Sequence, residues 1–272
     1  MPGPLPLGAG PGYTTPQLPM ISAHAATDPG PVRTVNEDAF LVDADQHLYA
    51  VADGMGGHNA GEVASALALE ALSGFVRRSS SETDLSWPYG VLPDLSFLAN
   101  RLRTALHLAN RRVFRAAESH DDYTGMGTTV VAALLDGARA VVAHVGDSRI
   151  YHWSGGKLHV LTRDDSWAAA LIAQGMSTED LARHPMRHVL TNVVGARDQV
   201  EVHVRELSLQ PGDRLLLCSD GLHEPMTAEL IAPVLGGEPD VTAAATRLVR
   251  EALERGTRDN VTALVVDVGA LK

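Results

Sequence analysis

Acidic residues recur along this chain where apolar runs begin or end, with glycine or asparagine beside them. Glu37 and Asp38 open the run Ala39 to Val42. Asp53 closes Leu48 to Ala52 and precedes Gly54, and Asp147 follows Gly146 after Val141 to Val145. Asp220 ends the run Leu215 to Cys218 and precedes Gly221, and Asp259 precedes Asn260 and the last run, Val261 to Val268. Strand ends in a layered sheet can gather at one edge, and loops there carry function. Carboxylates brought together repel one another unless a cation compensates them, and all-oxygen ligation suits Mg2+ or Mn2+. A single Asp before Gly is most often turn chemistry. The weight therefore falls on their joint occurrence.

Other chemistries fit less well. Cys218 lacks the arginine six positions later that a cysteine-based phosphatase needs, because Glu224 stands there; it reads as a small buried apolar residue at a strand end. Leu41-Val42-Asp43-Ala44-Asp45 mimics the start of an aspartate-nucleophile phosphatase, but His47 occupies the place of Thr or Val, and a solvated turn fits better. The glycines of 54–61 match neither a dinucleotide-binding loop nor a P-loop. The 12 histidines form no HExxH and no CxxC exists, which argues against zinc.

The elements that must position the carboxylates are legible in the periodicity. Ile21 to Thr27 reads as a strand, and Ala39–Val42 with Leu48–Ala52 as a hairpin. Gly54 to Gly57 reads as a loop before a helix from about Ala60, and a second helix spans about Leu95 to Glu118 with Asp94 as its N-cap. Thr128–Leu135, Ala140–Val145, Arg149–Trp153 and Lys157–Leu161 are short, β-branched and separated by tight turns, the pattern of an antiparallel meander. Residues 165–195 read as helical and loop-like. Strands at Val200–Leu207 and Arg214–Cys218, helices near 227–234 and 240–255, and a strand at Val261–Val268 complete the order. Helices paired between strand groups predict an α+β fold of antiparallel sheets covered on their outer faces.

Composition sets bounds. The chain has 272 residues, with 22 Lys plus Arg against 33 Asp plus Glu, a formal charge of −11 that disfavours a general nucleic-acid binder. A 45% hydrophobic, 20% charged composition excludes wholesale disorder. Residues 1–20 are rich in Pro and Gly and are expected to form a flexible tail; 21–270 are expected to form one domain. No run reaches the ~18 apolar residues of a membrane helix, no secretory signal is evident, and the lone Cys218 suits a reducing compartment. The expectation is a cytoplasmic, monomeric protein acting without membrane or nucleic acid.

Arg33-Thr34-Val35-Asn36-Glu37-Asp38, Asp53-Gly54-Met55-Gly56-Gly57-His58, Gly125-Met126-Gly127-Thr128-Thr129, Gly146-Asp147-Ser148-Arg149, Ser219-Asp220-Gly221 and Asp259-Asn260 occur in that order. Over residues 21–268 this resembles the bacterial PPM (PP2C-type) metal-dependent serine/threonine protein phosphatases. The resemblance implies an αββα sandwich with two Mn2+ or Mg2+ ions at one end. It implies that Asp53 bridges the ions, that the Gly54 carbonyl and, through water, Glu37 serve one of them, and that Asp220 and Asp259 hold the other. It gives Asp38 the orientation of bound water, Asn260 the fixing of the Asp259 loop, Asp147 and Asp220 a third, weaker ion, and Arg33 the grip on phosphate. The implied reaction is hydrolysis of phosphoserine and phosphothreonine on proteins, kinases or transcriptional regulators among them, by water without a covalent intermediate. The catalytic assignments are thus Arg33, Asp38 and Asp53. Many eukaryotic relatives carry His where Met55 stands, which leaves the proton donor open between His58 and a water on the metals. Residues 165–195 correspond to a variable flap near the substrate entrance; His184 and His188 lie in it, and Pro185 disfavours a shared helical metal site. A phosphatase-like binding module is the rival reading, against which the presence of Asp53, Asp220 and Asp259 counts.

Overall fold

The computed structural model describes residues 20–269 apart from 58–59, 82–85, 178–179, 182–183 and 187. The expected flexible tail, Met20 aside, lies outside the described residues, as does His58.

Two antiparallel sheets lie face to face. One has the order β1 (Ile21–Asp28), β11 (Val261–Val268), β10 (Arg214–Cys218), β7 (Arg149–Ser154), β8 (Lys157–Val160). The other runs β2 (Asp38–Asp43), β3 (Leu48–Met55), β5 (Val130–Asp136), β6 (Arg139–Val145), β9 (His203–Ser208), with β4 (Gly127–Thr128) pairing to the end of β3. The central strands are apolar on both faces, as strands buried between two layers must be. Tyr49 and Val51 of β3 meet Leu215 and Leu217 of β10 and Leu264 and Val266 of β11 between the sheets. Their neighbours Leu48, Ala50 and Ala52 pack outward beneath α1 (Ala60–Ser81) and α2 (Phe97–Ser119). On the opposite face Leu216, Cys218, Ala263 and Val265 pack with Ile231 and Leu248 of the covering helices α5 (Ala228–Gly237) and α6 (Val241–Glu254), which follow the short α3 (Trp167–Ala173) and α4 (Asp220–His223). The expected αββα layering is therefore present. In α6 the buried positions Val241, Ala244, Ala245, Leu248, Val249 and Ala252 follow the helical repeat, and the Asp240 carboxylate accepts from the Ala243 N–H at 2.8 Å as N-cap.

Several local expectations are corrected. The meander divides after β6: β5 and β6 lie in one sheet and β7 and β8 in the other. The turn at Gly146, with φ of 100°, carries the chain across, and residues inward on both sheets leave no single face to signal it. Gly54 and Met55 belong to β3 rather than a loop, because β4 supplies their hydrogen-bonding partners. The N-cap of α2 is Ser96, whose hydroxyl accepts from Ala99 N–H at 3.1 Å, rather than Asp94. Asp43 is not a solvated turn residue but is buried and bonded to Arg77 Nε at 2.8 Å. Cys218 is fully buried as expected. No helix among the described residues is long and apolar enough to cross a membrane.

Ser96→Ala should cost about 1 kcal/mol in urea unfolding at unchanged slope. Asp94→Ala should cost almost nothing, and the reverse ranking would restore Asp94 as the cap.

Candidate metal centre

The ends of β2, β3, β6, β10 and the start of β11 meet at one end of the sandwich. Asp38 and Asp53 are direct partners across β2 and β3. Asp147 occupies the turn after β6. Asp220 begins α4 (Asp220–His223), a single turn following β10. The Asp220 and Asp53 carboxyls are close enough for the charge of Asp220 to push the pKa of Asp53 up.

Asp38 is anchored from the opposite sheet. Its Oδ2 accepts from the Ser219 and Thr262 hydroxyls, both at 2.7 Å. Ser219 Oγ in turn accepts from Thr262 N–H at 3.0 Å, and Thr262 Oγ1 lies 2.7 Å from Thr27 Oγ1. Asp53 is fixed through its backbone: its N–H donates to Thr129 Oγ1 at 3.2 Å, and its carbonyl accepts from Thr128 Oγ1 and Thr129 N–H, each at 2.8 Å. Thr129 Oγ1 also shares a 2.7 Å hydrogen bond with Ser148 Oγ, which couples β3 to the Asp147 turn. Asp147 offers its carbonyl to His223 Nε2 at 3.0 Å. Burial holds His223 neutral, pulling its pKa down to about 4.

These supports leave the charges uncompensated. Among the described residues, Asp38 Oδ1 and Asp220 Oδ1 are buried without a hydrogen-bond partner. Burial, opposed by the two hydroxyls and reinforced by Asp220 and Asp259, pushes Asp38 from the ordinary 3.8 to about 7. Burial with the charges of Asp220 and Asp164 likewise raises Asp147 to about 7, and burial with Glu224 and Asp259 raises Asp220 to about 6. Asp53 stands well above 3.8, from burial first and then from Asp38, Asp220 and Asp147. Such a set of hard oxygen donors, two of them unpaired, fits Mg2+ or Mn2+.

The remaining residues frame this group. Glu37 presses its carboxylate against Gly61, where a Cβ would stand 2.3 Å from Glu37 Oε1, and its pKa is raised by burial. Gly54 and Gly61 touch so closely that a Cβ on Gly54 would lie 2.0 Å from the Gly61 carbonyl oxygen. Asp259 is turned to the rim: Oδ2 receives Arg33 Nη2 at 2.6 Å, and Oδ1 receives Asn260 N–H at 2.9 Å. Asn260 does more than brace the Asp259 loop. Its amide donates to the Pro29 and Val35 carbonyls at 2.9 and 3.0 Å, and its Oδ1 accepts from Glu37 N–H at 2.8 Å, so it pins the loop carrying Arg33. Flap residues His184 and His188 do not pair: His184 Nδ1 accepts from Met186 N–H, and His188 lies 3.7 Å from Glu224.

Residues 32–260 match the model of the protein phosphatase 2C family. The chain belongs to the protein phosphatase 2C family. It is 40% identical over 245 residues to the serine/threonine protein phosphatase PstP of Mycobacterium tuberculosis, covering 90% of this chain and 44% of that protein. This phosphatase 2C chain thus spans less than half the length of that relative. It is 34% identical to the serine/threonine phosphatase stp of Listeria welshimeri, covering 91% of this chain and 96% of the other. The structure of the catalytic domain of PstP in complex with two manganese ions superposes with a TM-score of 0.77 at 36% identity, over 92% of this chain and 99% of that one.

Ser219, Thr262, Thr129, Ser148 and His223 hydrogen-bond within the candidate site and are absent from the sequence-based assignment. Three of these neighbour or belong to the quoted motifs, but nothing in a linear sequence says which carboxylate each hydroxyl reaches.

The raised carboxyls set a sign for the metal-free phosphatase 2C chain. Between the ordinary 3.8 and about 7 the folded state keeps protons on Asp38 and Asp147 that the unfolded chain has released, so their contribution to stability falls as pH rises through that window and levels off above it. In EDTA the thermal midpoint should decline over that range, and Mn2+ should restore it most strongly at the alkaline end. The decline should be shallower in Asp38→Asn, while His223, pulled down to about 4, contributes the same opposite slope in both proteins; an equal decline in the two would contradict this electrostatic account.

Proposed function

We propose that this chain hydrolyses phosphoserine and phosphothreonine esters on proteins, with two Mn2+ or Mg2+ ions at the carboxylate end of the sandwich and a third, weaker ion at Asp147 and Asp220. The observation that carries the reading is the pair of buried, unpartnered oxygens on Asp38 and Asp220 beside Asp53. The kinship with named serine/threonine phosphatases and with a PstP domain holding two manganese ions supports it. When bound, two hard cations supply an activated solvent nucleophile near neutral pH and neutralise the charge spread over the phosphoryl oxygens.

The residues of the chain divide the remaining work. Asp53, opposite Asp38 in register, would hold the ions together with the Gly54 carbonyl, Glu37 acting through water, Asp220 and Asp259. Any protons that burial keeps on Asp53 and Asp220 must leave as ions enter, because ligating carboxylates are deprotonated. Asp38, clamped at Oδ2 by two hydroxyls, keeps Oδ1 free to orient solvent. Arg33 is half-exposed at the rim, and its planar fork matches phosphate oxygens. A phosphate dianion would compete with Asp259 for it and so release that carboxylate toward the ions. Asn260 holds both partners of this exchange in register. Phosphorylated kinases or regulators in the cytoplasm are the proposed substrates of a monomeric enzyme.

A phosphothreonine peptide should be turned over with Mn2+ and not with EDTA. Metal-independent turnover would refute the mechanism, and absence of turnover with every divalent ion would favour a binding module. Asp53→Ala should reduce hydrolysis to background while leaving the fold intact by circular dichroism. Arg33→Ala should raise KM about 10- to 100-fold, the loss of ~1.5–3 kcal/mol for a hydrogen bond to a charged group; an unchanged KM would remove Arg33 from phosphate binding.

A further inference from the structure

His144 on β6 and His203 on β9 are 59 residues apart in sequence yet stand directly opposite in register. Their rings stack with centroids 4.8 Å apart and planes inclined by 26°. Asp165, at the root of the flap, brings its Oδ1 to 3.0 Å from His203 Nε2. One donor atom from each of the three lies within 4.8 Å of the other two, and among the described residues no other set of three His, Cys, Asp or Glu side chains converges so closely.

We propose that His144, Asp165 and His203 form a second metal site, selective for a borderline transition ion of the zinc class and separate from the carboxylate centre. Two imidazoles and one carboxylate are a donor set that zinc takes, whereas Mg2+ prefers oxygen alone. Tetrahedral bonds of about 2.0–2.1 Å place ligand atoms ~3.3 Å apart, so the present cluster must draw in by ~1.5 Å, within the reach of side-chain rotation. The outer contacts that orient metal ligands are in place. His144 Nε2 lies 2.8 Å from the Arg163 carbonyl and 3.4 Å from the Arg163 N–H; with Nε2 protonated toward the nearer carbonyl, Nδ1 is the lone-pair nitrogen. Asp165 Oδ2 accepts from Asn192 Nδ2 at 2.7 Å and from Gly146 N–H at 3.0 Å, so Oδ1 is the oxygen left for the ion, which would displace the proton now between Oδ1 and His203 Nε2. Burial lowers the His144 pKa and keeps that ring neutral, the form that ligates. His203 lines a cleft of about 370 Å³ shared with His144 and another of about 610 Å³ shared with Asp165, so an ion and its water have access from solvent. No HExxH or CxxC pattern announces the site, because its ligands come from two strands and a loop.

Occupancy would fasten three pieces together: the flap root at Asp165, the edge strand β9, and β6 just before the Asp147 turn. The inference does not depend on the phosphatase reading, since the site uses none of the residues assigned to the carboxylate centre.

The test uses the full chain with its carboxylate centre saturated by Mg2+. Titration with Co2+ should give a visible absorption of a nitrogen-ligated, four-coordinate ion at one equivalent, displaced by Zn2+. Zn2+ titrated into the 15N-labelled protein should shift two histidine ring signals. His203→Gln, a change on a partly exposed edge strand, should abolish the band and weaken Zn2+ affinity at least ~10-fold, as should His144→Gln. Asp53→Ala should retain the band. An absent band in the parent protein, or one unchanged in both histidine variants, would overturn the proposal and assign zinc uptake to the carboxylates. Unchanged circular dichroism separates loss of ligands from loss of fold.

Discussion

Like charges held close together in a place poor in water constrain this molecule more than any other interaction. Asp38, Asp53, Asp147 and Asp220 all lie where two sheets end, and burial raises each of them above the ordinary carboxylate range. Hydrogen bonds relieve only part of this. Asp38 receives two hydroxyls on one oxygen and nothing on the other. A buried group left unpaired costs ~1–3 kcal/mol, more when charged, so the surrounding apolar core must hold in place an arrangement that its own contacts do not favour. The layers show how. Strands buried on both faces, Leu215 to Cys218 and Val261 to Val266 among them, bring the two sheets together along their length. The carboxylates at their ends have no freedom to drift apart.

The same hydroxyls act on fold and chemistry at once. Ser219 and Thr262 belong to the segments of one sheet, Asp38 to the other, so the bonds that orient a candidate solvent-orienting carboxylate also close that end of the sandwich. Thr129 plays the equivalent part for Asp53 and Ser148. Replacing these hydroxyls with methyls of similar size would keep the packing volume and lose the orientation, which separates positioning from simple stability.

What could be read from the sequence followed from periodicity and from spacing. The apolar alternation places the strands, and carboxylates at the ends of apolar runs mark the candidate site before any contact is known. What could not be read was set by contacts across the fold. Nothing near Gly54 announces that β4 will extend β3 past Asp53. Nothing near Val145 announces that the next strand joins the other sheet, since β6 and β7 both look like members of one meander. Asp94 and Ser96 are equally good caps by residue type, and only the path of the preceding chain puts Ser96 on the Ala99 N–H. Asp43 looks solvated until Arg77, a helix away, is found on it. His144 and His203 carry no motif at all; their meeting is a product of strand order.

Gly146 shows how these long-range contacts become one device. Its φ of 100° is open to glycine, and a Cβ there would stand 2.6 Å from Thr129 Cγ2, so the turn can neither be substituted nor easily relaxed. Its N–H is held by Asp165 at the flap root, its carbonyl accepts from Asp165 N–H at 2.9 Å, and the next residue is Asp147. Thr129, against which it is wedged, holds the backbone of Asp53. The flap root at Asp165 and the Asp147 turn are thus joined through one glycine that is held at both its N–H and its carbonyl.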